Sequence, residues 1–247
     1  MIMTILHDII SAAGPAIDGC FDYHKIRYCP PIPLASQALL AWTIFLKQSR
    51  PVIFISAGPK DLEIIYQDLL TLSPSNPRNN MDQLLDLLYF PPRHEPSSKS
   101  KNQDINLSGI RLRTLLSITQ SKNKKNPWVM AATIESLIQE TFSPNTLIKN
   151  TEVISIGENK DIYELSKCFQ SNGYDIVTEV LEKGQVAIRG GLIDIWAVTD
   201  SLPTRLEFFG DTIHSIRNFD PLTQRSRTQY NSLCVTPVFE NTLQKPE

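Results

Sequence analysis

Over the first 140 residues, apolar positions recur mostly at helical spacing, interrupted by short β-branched runs. Leu34 to Phe45 (LASQALLAWTIF) is rich in alanine and leucine and predicts a buried helix, which Ser49, Arg50 and Pro51 end. Val52 to Ile55 predicts a short buried strand. Ala57 and Gly58 close that strand, and Pro59 opens an amphipathic helix in which Leu62, Ile65, Leu69 and Leu70 share a face. Further on, the pattern predicts a helix over Met81 to Leu88, an extended Tyr89–Phe90 and a polar loop from Pro91 to Gln103. A helix marked by Ile110, Leu112, Leu115 and Leu116 follows, then a basic loop from Ser121 to Pro127, a strand over Trp128 to Ala131 and a helix over Ile134 to Gln139. Strands alternating with helices predict a parallel α/β sheet covered on both faces. Ile2, Ile5, Ile9 and Ile10 mark one more helix face at the N-terminus.

From Thr151 the pattern changes. TEVISI predicts a strand, and Ile162 to Phe169 a helix that Asn172 and Gly173 stop. Short strands separated by turns then follow over Ile176 to Val180, Val186 to Arg189, Leu192 to Trp196, Arg205 to Phe209 and Ile213 to Phe219. Leu233 to Val235 predicts a last strand before a polar tail. The shift predicts a domain boundary near residue 150.

Composition narrows the function classes. The chain has 247 residues with 24 lysines and arginines against 26 aspartates and glutamates. Nothing in that balance predicts a polyanion-binding surface. The cysteines, Cys20, Cys29, Cys168 and Cys234, form no C-x-x-C pair and have no histidine at ligand spacing, so no metal site is expected. His7, His24, His94 and His214 also lack partners at catalytic spacing. Trp42, Trp128 and Trp196 lie in apolar runs and are expected in the core. No run of about 18 apolar residues occurs, and the N-terminus lacks the basic start of a signal peptide; a cytoplasmic protein without a membrane span is expected.

The segment GYDIVTEVLEKGQVAIRGGLIDIWAVTDSLPTRLEFFGDTIHSIRNFDPLTQRS, Gly173 to Ser226, closely resembles the domain shared by the bacterial transcription-repair coupling factor and the excinuclease protein UvrB. In those families it docks UvrA, the damage-recognising ATPase of the excinuclease. Upstream, RPVIFISAGPKDLEIIYQDL, YFPPRHEP and PWVMAATIESLIQ resemble, in order, pieces of the coupling factor's N-terminal module. No counterpart of the long aromatic hairpin of UvrB is found, which makes the coupling factor the nearer relative.

The resemblance implies an α/β chain: a parallel-sheet, P-loop-like but degenerate first domain over 1–150, with an inserted smaller α+β docking domain over 151–225. Residues 226–247 would form a return strand and tail towards the first domain. ATP hydrolysis in such motors needs a glycine-rich loop ending in Gly-Lys-Ser or Gly-Lys-Thr, whose amides cradle the phosphates. Neither tripeptide occurs, and PPIPLASQALL stands where the loop would be. The chain is therefore expected to be no enzyme on its own, with no catalytic residues and no cofactor. The implied role is a non-catalytic interaction module of nucleotide excision repair that docks UvrA in transcription-coupled repair. The alternative is the N-terminal part of an ATP-dependent DNA translocase that displaces stalled RNA polymerase. Contacts with DNA and RNA polymerase would then belong to domains downstream of this chain.

By the same resemblance, Arg189 in IRGG, Arg205 in TRLEFF and Phe209 would bind the partner. An arginine fork beside an aromatic ring suits a carboxylate-bearing surface. Arg205 and Phe209 fall on one face of their strand, while Gly190 and Gly191 would let the hairpin turn beside it. The bland reading is a solvated strand face with ion pairs from these arginines to Glu207 or Asp211. Glu179 with Glu182, or Asp194 with Asp211, are conceivable acid/base pairs, but no nucleophile or cofactor signature accompanies them.

Overall fold

The computed structural model describes residues 31–48, 50–73, 87–93, 104–124 and 127–240. The expected N-terminal helix face, Cys20, Cys29, His7, His24 and His94 lie outside them. So do residues 81–86 of the helix expected over Met81 to Leu88. The chain divides into a first unit, Met1–Pro92 with Ser117–Gln139, and a second, Arg93–Leu116 with Glu140–Glu247.

In the first unit, helix α1 (Leu34–Gln48) leads to strand β1 (Val52–Ser56) and helix α2 (Pro59–Leu72). Pro59 opens α2, where its missing N–H costs nothing. Strands β2 (Leu87–Phe90) and β3 (Val129–Thr133) complete a parallel sheet of order β1-β3-β2. Ala38, Ala41, Trp42 and Phe45 of α1 pack with Leu62, Ile65 and Leu69 of α2 and with Val129 and Ala131 of the central strand. Tyr66 stacks on Tyr89 at 4.5 Å between ring centroids. Leu87 and Leu88 are strand residues, a correction to the expected helix. Ile53 and Ile55 keep 47% and 51% of their surface exposed. Among the described residues β1 is thus an edge strand covered on one side only, contrary to the buried strand expected.

Helix α3 (Ile105–Lys124) runs further than its apolar marks, taking in Ser121 to Lys124 of the expected basic loop. Thr133 and Ser136 form a reciprocal capping box that starts the short helix α4 (Ile134–Ile138).

The second unit starts upstream of residue 151. It takes in helix α5 (Pro144–Lys149), capped by Ser143, and the first half of α3. Strand β4 (Glu152–Ser155) is followed by helix α6 (Ile162–Ser171), whose N-cap Asp161 accepts from the Tyr163 and Glu164 amides at 2.7 and 3.0 Å. Asn172 and Gly173, the latter at φ +88°, end α6 as expected. Strands β5 (Asp175–Ile176), β6 (Gln185–Arg189), β7 (Leu192–Ile195), β8 (Thr204–Phe209), β9 (Thr212–Phe219) and β10 (Ser226–Gln229) form a six-stranded sheet of order β10-β9-β8-β7-β6-β5. It is antiparallel except between β5 and β6. Strand β11 (Ser232–Val235) pairs antiparallel with β4. The molecule is therefore mixed α/β, one sheet parallel and the largest almost wholly antiparallel.

Phe169, Val186, Ile193, Ile195, Leu206, Ile213 and Ile216 lie in the core under one face of the six-stranded sheet. The strand expected over Ile176 to Val180 stops after Ile176. The Val177 amide still donates to the Val186 carbonyl at 2.8 Å, and beyond it the chain turns back to β6, the Gln185 side-chain oxygen accepting from the amides of Leu181 and Glu182 at 2.9 and 3.0 Å. Strand β10 is exposed at every position and shows no apolar alternation, so periodicity could not predict it. Among the described residues no helix is long and apolar enough to cross a membrane.

Candidate functional site

In β8, Leu206 and Phe208 belong to the core, so Arg205, Glu207 and Phe209 point to the opposite face. Strand register puts Asp194 beside Arg205 and beside Ala187, Leu192 beside Glu207 and beside Arg189, and Arg217 beside Arg205. This outer face is consequently built from side chains of four adjacent strands.

Two ionic clusters occupy it. In the first, Arg205 grips Asp194 through Nε to Oδ1 at 2.6 Å and one Nη to Oδ2 at 2.8 Å, and the same Nη donates to Gln224 Oε1 at 3.1 Å. The Arg205 guanidinium lies 4.7 Å above the Phe219 ring centroid. Arg189 donates to Asp194 Oδ2 at 2.5 Å. In the second, Glu207 accepts from Ser215 Oγ at 2.6 Å and from Arg217. The hydrogen bond to Asp194 pushes the Arg205 guanidinium further up, and those from Ser215 and then Arg217 pull the Glu207 carboxyl down.

Exposure separates the expected binding residues. Phe209 is 83% exposed. The Arg189 side chain is 49% exposed, that of Arg205 only 18%, and that of Asp194 2%. The fork of Arg205, expected to be open to a partner, is closed on Asp194, which the residue pattern had suggested only as one half of a conceivable acid pair with Asp211. The expected pairing to Glu207 or Asp211 is corrected too, because Arg217 takes Glu207. Glu179 accepts from Gln224 and Glu182 is exposed, so that pair forms no catalytic arrangement.

Gly190 and Gly191 join β6 to β7, and Gly190 sits at φ +57°, where a side chain would be strained. Gly210, at φ +61°, opens the corresponding turn between Phe209 and Thr212. Both turns lie at the same end of the sheet, since the Phe208 amide donates to the Gly191 carbonyl at 2.8 Å. Around this end, a shallow cleft of about 380 Å³ opens between the first turn of α6 and Ile188, Gly190 and Asp211.

Elsewhere in the unit, Trp196, half-buried, donates Nε1 to the Asp200 carbonyl at 3.3 Å. Burial lifts the Asp200 carboxyl to about 6 against opposing pulls from Arg113, Thr199 and Lys183. Burial likewise lowers the Lys183 ammonium, with Arg113 adding to the effect. A carboxyl whose folded pKa lies above its unfolded value disfavours folding above about pH 6, and this handicap fades as pH falls towards 4. Asp200→Asn is expected to raise stability at pH 7.5 by on the order of 2 kcal/mol and by almost nothing at pH 4. Urea unfolding at both values checks it; an equal gain at both would exclude this origin.

Residues 153–240 match the family model described as the UvrB interaction domain. This chain carries a UvrB interaction domain. The match covers β4 to Glu240, the part of the second unit that holds the outer face. The chain is 36% identical over 107 residues to the transcription-repair-coupling factor of Haemophilus influenzae, covering 43% of this chain and 9% of that protein. It is 32% identical over 143 residues to the Escherichia coli protein of the same name, covering 58% of this chain and 12% of that one. With UvrABC system protein B of Thermotoga neapolitana it shares 26% over 200 residues, 80% of this chain and 30% of that protein. The chain thus spans under a third of the length of these relatives. The UvrB interaction domain accounts for the resemblance read from Gly173 to Ser226, and its alignment to Glu240 adds β10 and β11 to it.

Proposed function

We propose that the chain is a docking module of nucleotide excision repair, and that its UvrB interaction domain binds UvrA through the outer face of the six-stranded sheet. One observation carries this reading: within a matched UvrB interaction domain, an 83% exposed phenylalanine stands at the same sheet end as a half-exposed arginine. Aromatic and arginine side chains are the commonest energetic centres of protein interfaces. Arg189 and Phe209 make the contact, Gly190 and Gly191 shape the turn beside it, and Arg205 supports it from below. The first domain is a P-loop-like scaffold degenerate at its phosphate site. The parallel β1-β3-β2 sheet and the absent Gly-Lys-Ser/Thr support that reading.

Phe209→Ala is expected to weaken binding to UvrA by about 30-fold and Arg189→Ala by about tenfold. Phe209→Ala should not move the unfolding midpoint, because that side chain lies outside the core, whereas Arg189→Ala should lower it slightly, because the enclosed Asp194 loses one of its donors. Calorimetric titration of the purified proteins measures both, and a change below about twofold for Phe209→Ala would remove the face from consideration. A second reading, the N-terminal part of an ATP-dependent translocase, draws on matches that span only 9% and 12% of the coupling factors. A reading frame running into helicase motifs downstream is its test.

A further inference from the structure

Asp194 is an anomaly on the outer face. It points away from the core, on the side of the sheet that carries Arg189 and Phe209, yet only 2% of its side chain is exposed. A carboxylate so enclosed is costly unless donors satisfy it. It has three such bonds, two from Arg205 and one from Arg189, which tie β6, β7 and β8 together through one side chain. Arg205 is itself immobilised by Gln224 and the Phe219 ring, and Gln224 is anchored by its own bonds to the Pro221 carbonyl and Glu179. The rigid part of the cluster is therefore Arg205–Asp194. The part that faces solvent is Arg189, whose guanidinium has no second partner among the described residues.

We propose that Asp194 is a positioning residue of the docking surface: braced by Arg205, it holds one Nη of Arg189 and aims the rest of that guanidinium at a carboxylate of the partner. This rests on the docking reading above and divides its labour, Arg189 touching the partner and Arg205 acting only through Asp194. A long side chain already held in its bound rotamer loses less freedom on association. A guanidinium with one edge engaged keeps its charge and its remaining donors for the incoming acid.

The test is a double-mutant cycle on the full chain, read by titration against UvrA, with urea unfolding run in parallel. Asp194→Asn should weaken binding about tenfold in the parent and less than about twofold in the Arg189→Ala background, although it lowers the unfolding midpoint alike in both. Arg205→Lys, which keeps charge and stem but loses the fork, is the second variant and should follow the same cycle if Asp194→Asn does not fold. Equal loss of affinity in both backgrounds would make Asp194 merely structural and overturn the inference, as would no loss in the parent. A parent chain that does not bind UvrA at all overturns the docking reading and takes this inference with it.

Discussion

Glu240→Ala is expected to destabilise the second unit by about 3–5 kcal/mol, the cost of removing one partner from a buried ion pair. The Glu240 and Arg111 side chains are 1% and 0% exposed. The carboxylate is gripped at Oε1 by Nε and at Oε2 by one Nη, the latter at 3.1 Å, and Arg93 approaches to 3.8 Å. Removing the carboxylate alone takes this counter-charge from the buried Arg111 guanidinium. A loss of that size is comparable to the whole stability of a small domain. Urea unfolding measures it. The double replacement Arg111→Met with Glu240→Leu should recover most of the loss, because removing both charges also removes their desolvation cost. If Glu240→Ala alone shifted stability by under about 1 kcal/mol, the pair would have to be solvated in solution.

Gly109→Ala carries the second large effect, and its sign is the test. At an ordinary helix-interior position this change gains up to about 1 kcal/mol. In α3 the added Cβ would lie 1.9 Å from the Val198 carbonyl oxygen and 2.7 Å from its carbon, backbone atoms that cannot swing aside. A loss of about 3 kcal/mol is expected, at the upper end of overpacking costs. A gain in melting temperature would mean that α3 does not pack here.

These contacts explain why the second unit starts before residue 151. Ser108 donates to the Val238 carbonyl at 2.7 Å, Gly109 lets α3 meet the loop after β7, and Arg113 bonds the Thr199 carbonyl while Arg111 takes Glu240. The half of α3 from Ile105 to Leu116 is thus bound by residues about 90 to 130 positions further along the chain. A change of local periodicity at Thr151 marks where strands begin to dominate, not where these contacts end.

The outer face shows the same division at the scale of single side chains. IRGG and TRLEFF were legible as candidate binding segments, and alternation along β8 sufficed to put Arg205 and Phe209 on one side. Which arginine remains accessible was not legible, because it depends on Asp194 lying between them on β7. A period-two strand with a lone aspartate at an apolar end carries a weak signal of this kind: an acid in LIDI flanked by isoleucines is either costly or paired.

By itself the sequence determined the local elements with strong periodicity or turn chemistry, from α1 to the hairpin strands, and the kinship of its second half. Their causes act within a few residues: apolar spacing, caps and glycine turns. Only the tertiary structure decided the extent of the second unit, the one-sided cover of β1, the edge strand β10 and the closing of Arg205 on Asp194. Each depends on burial and pairing between distant segments, and such pairing leaves no period along the chain.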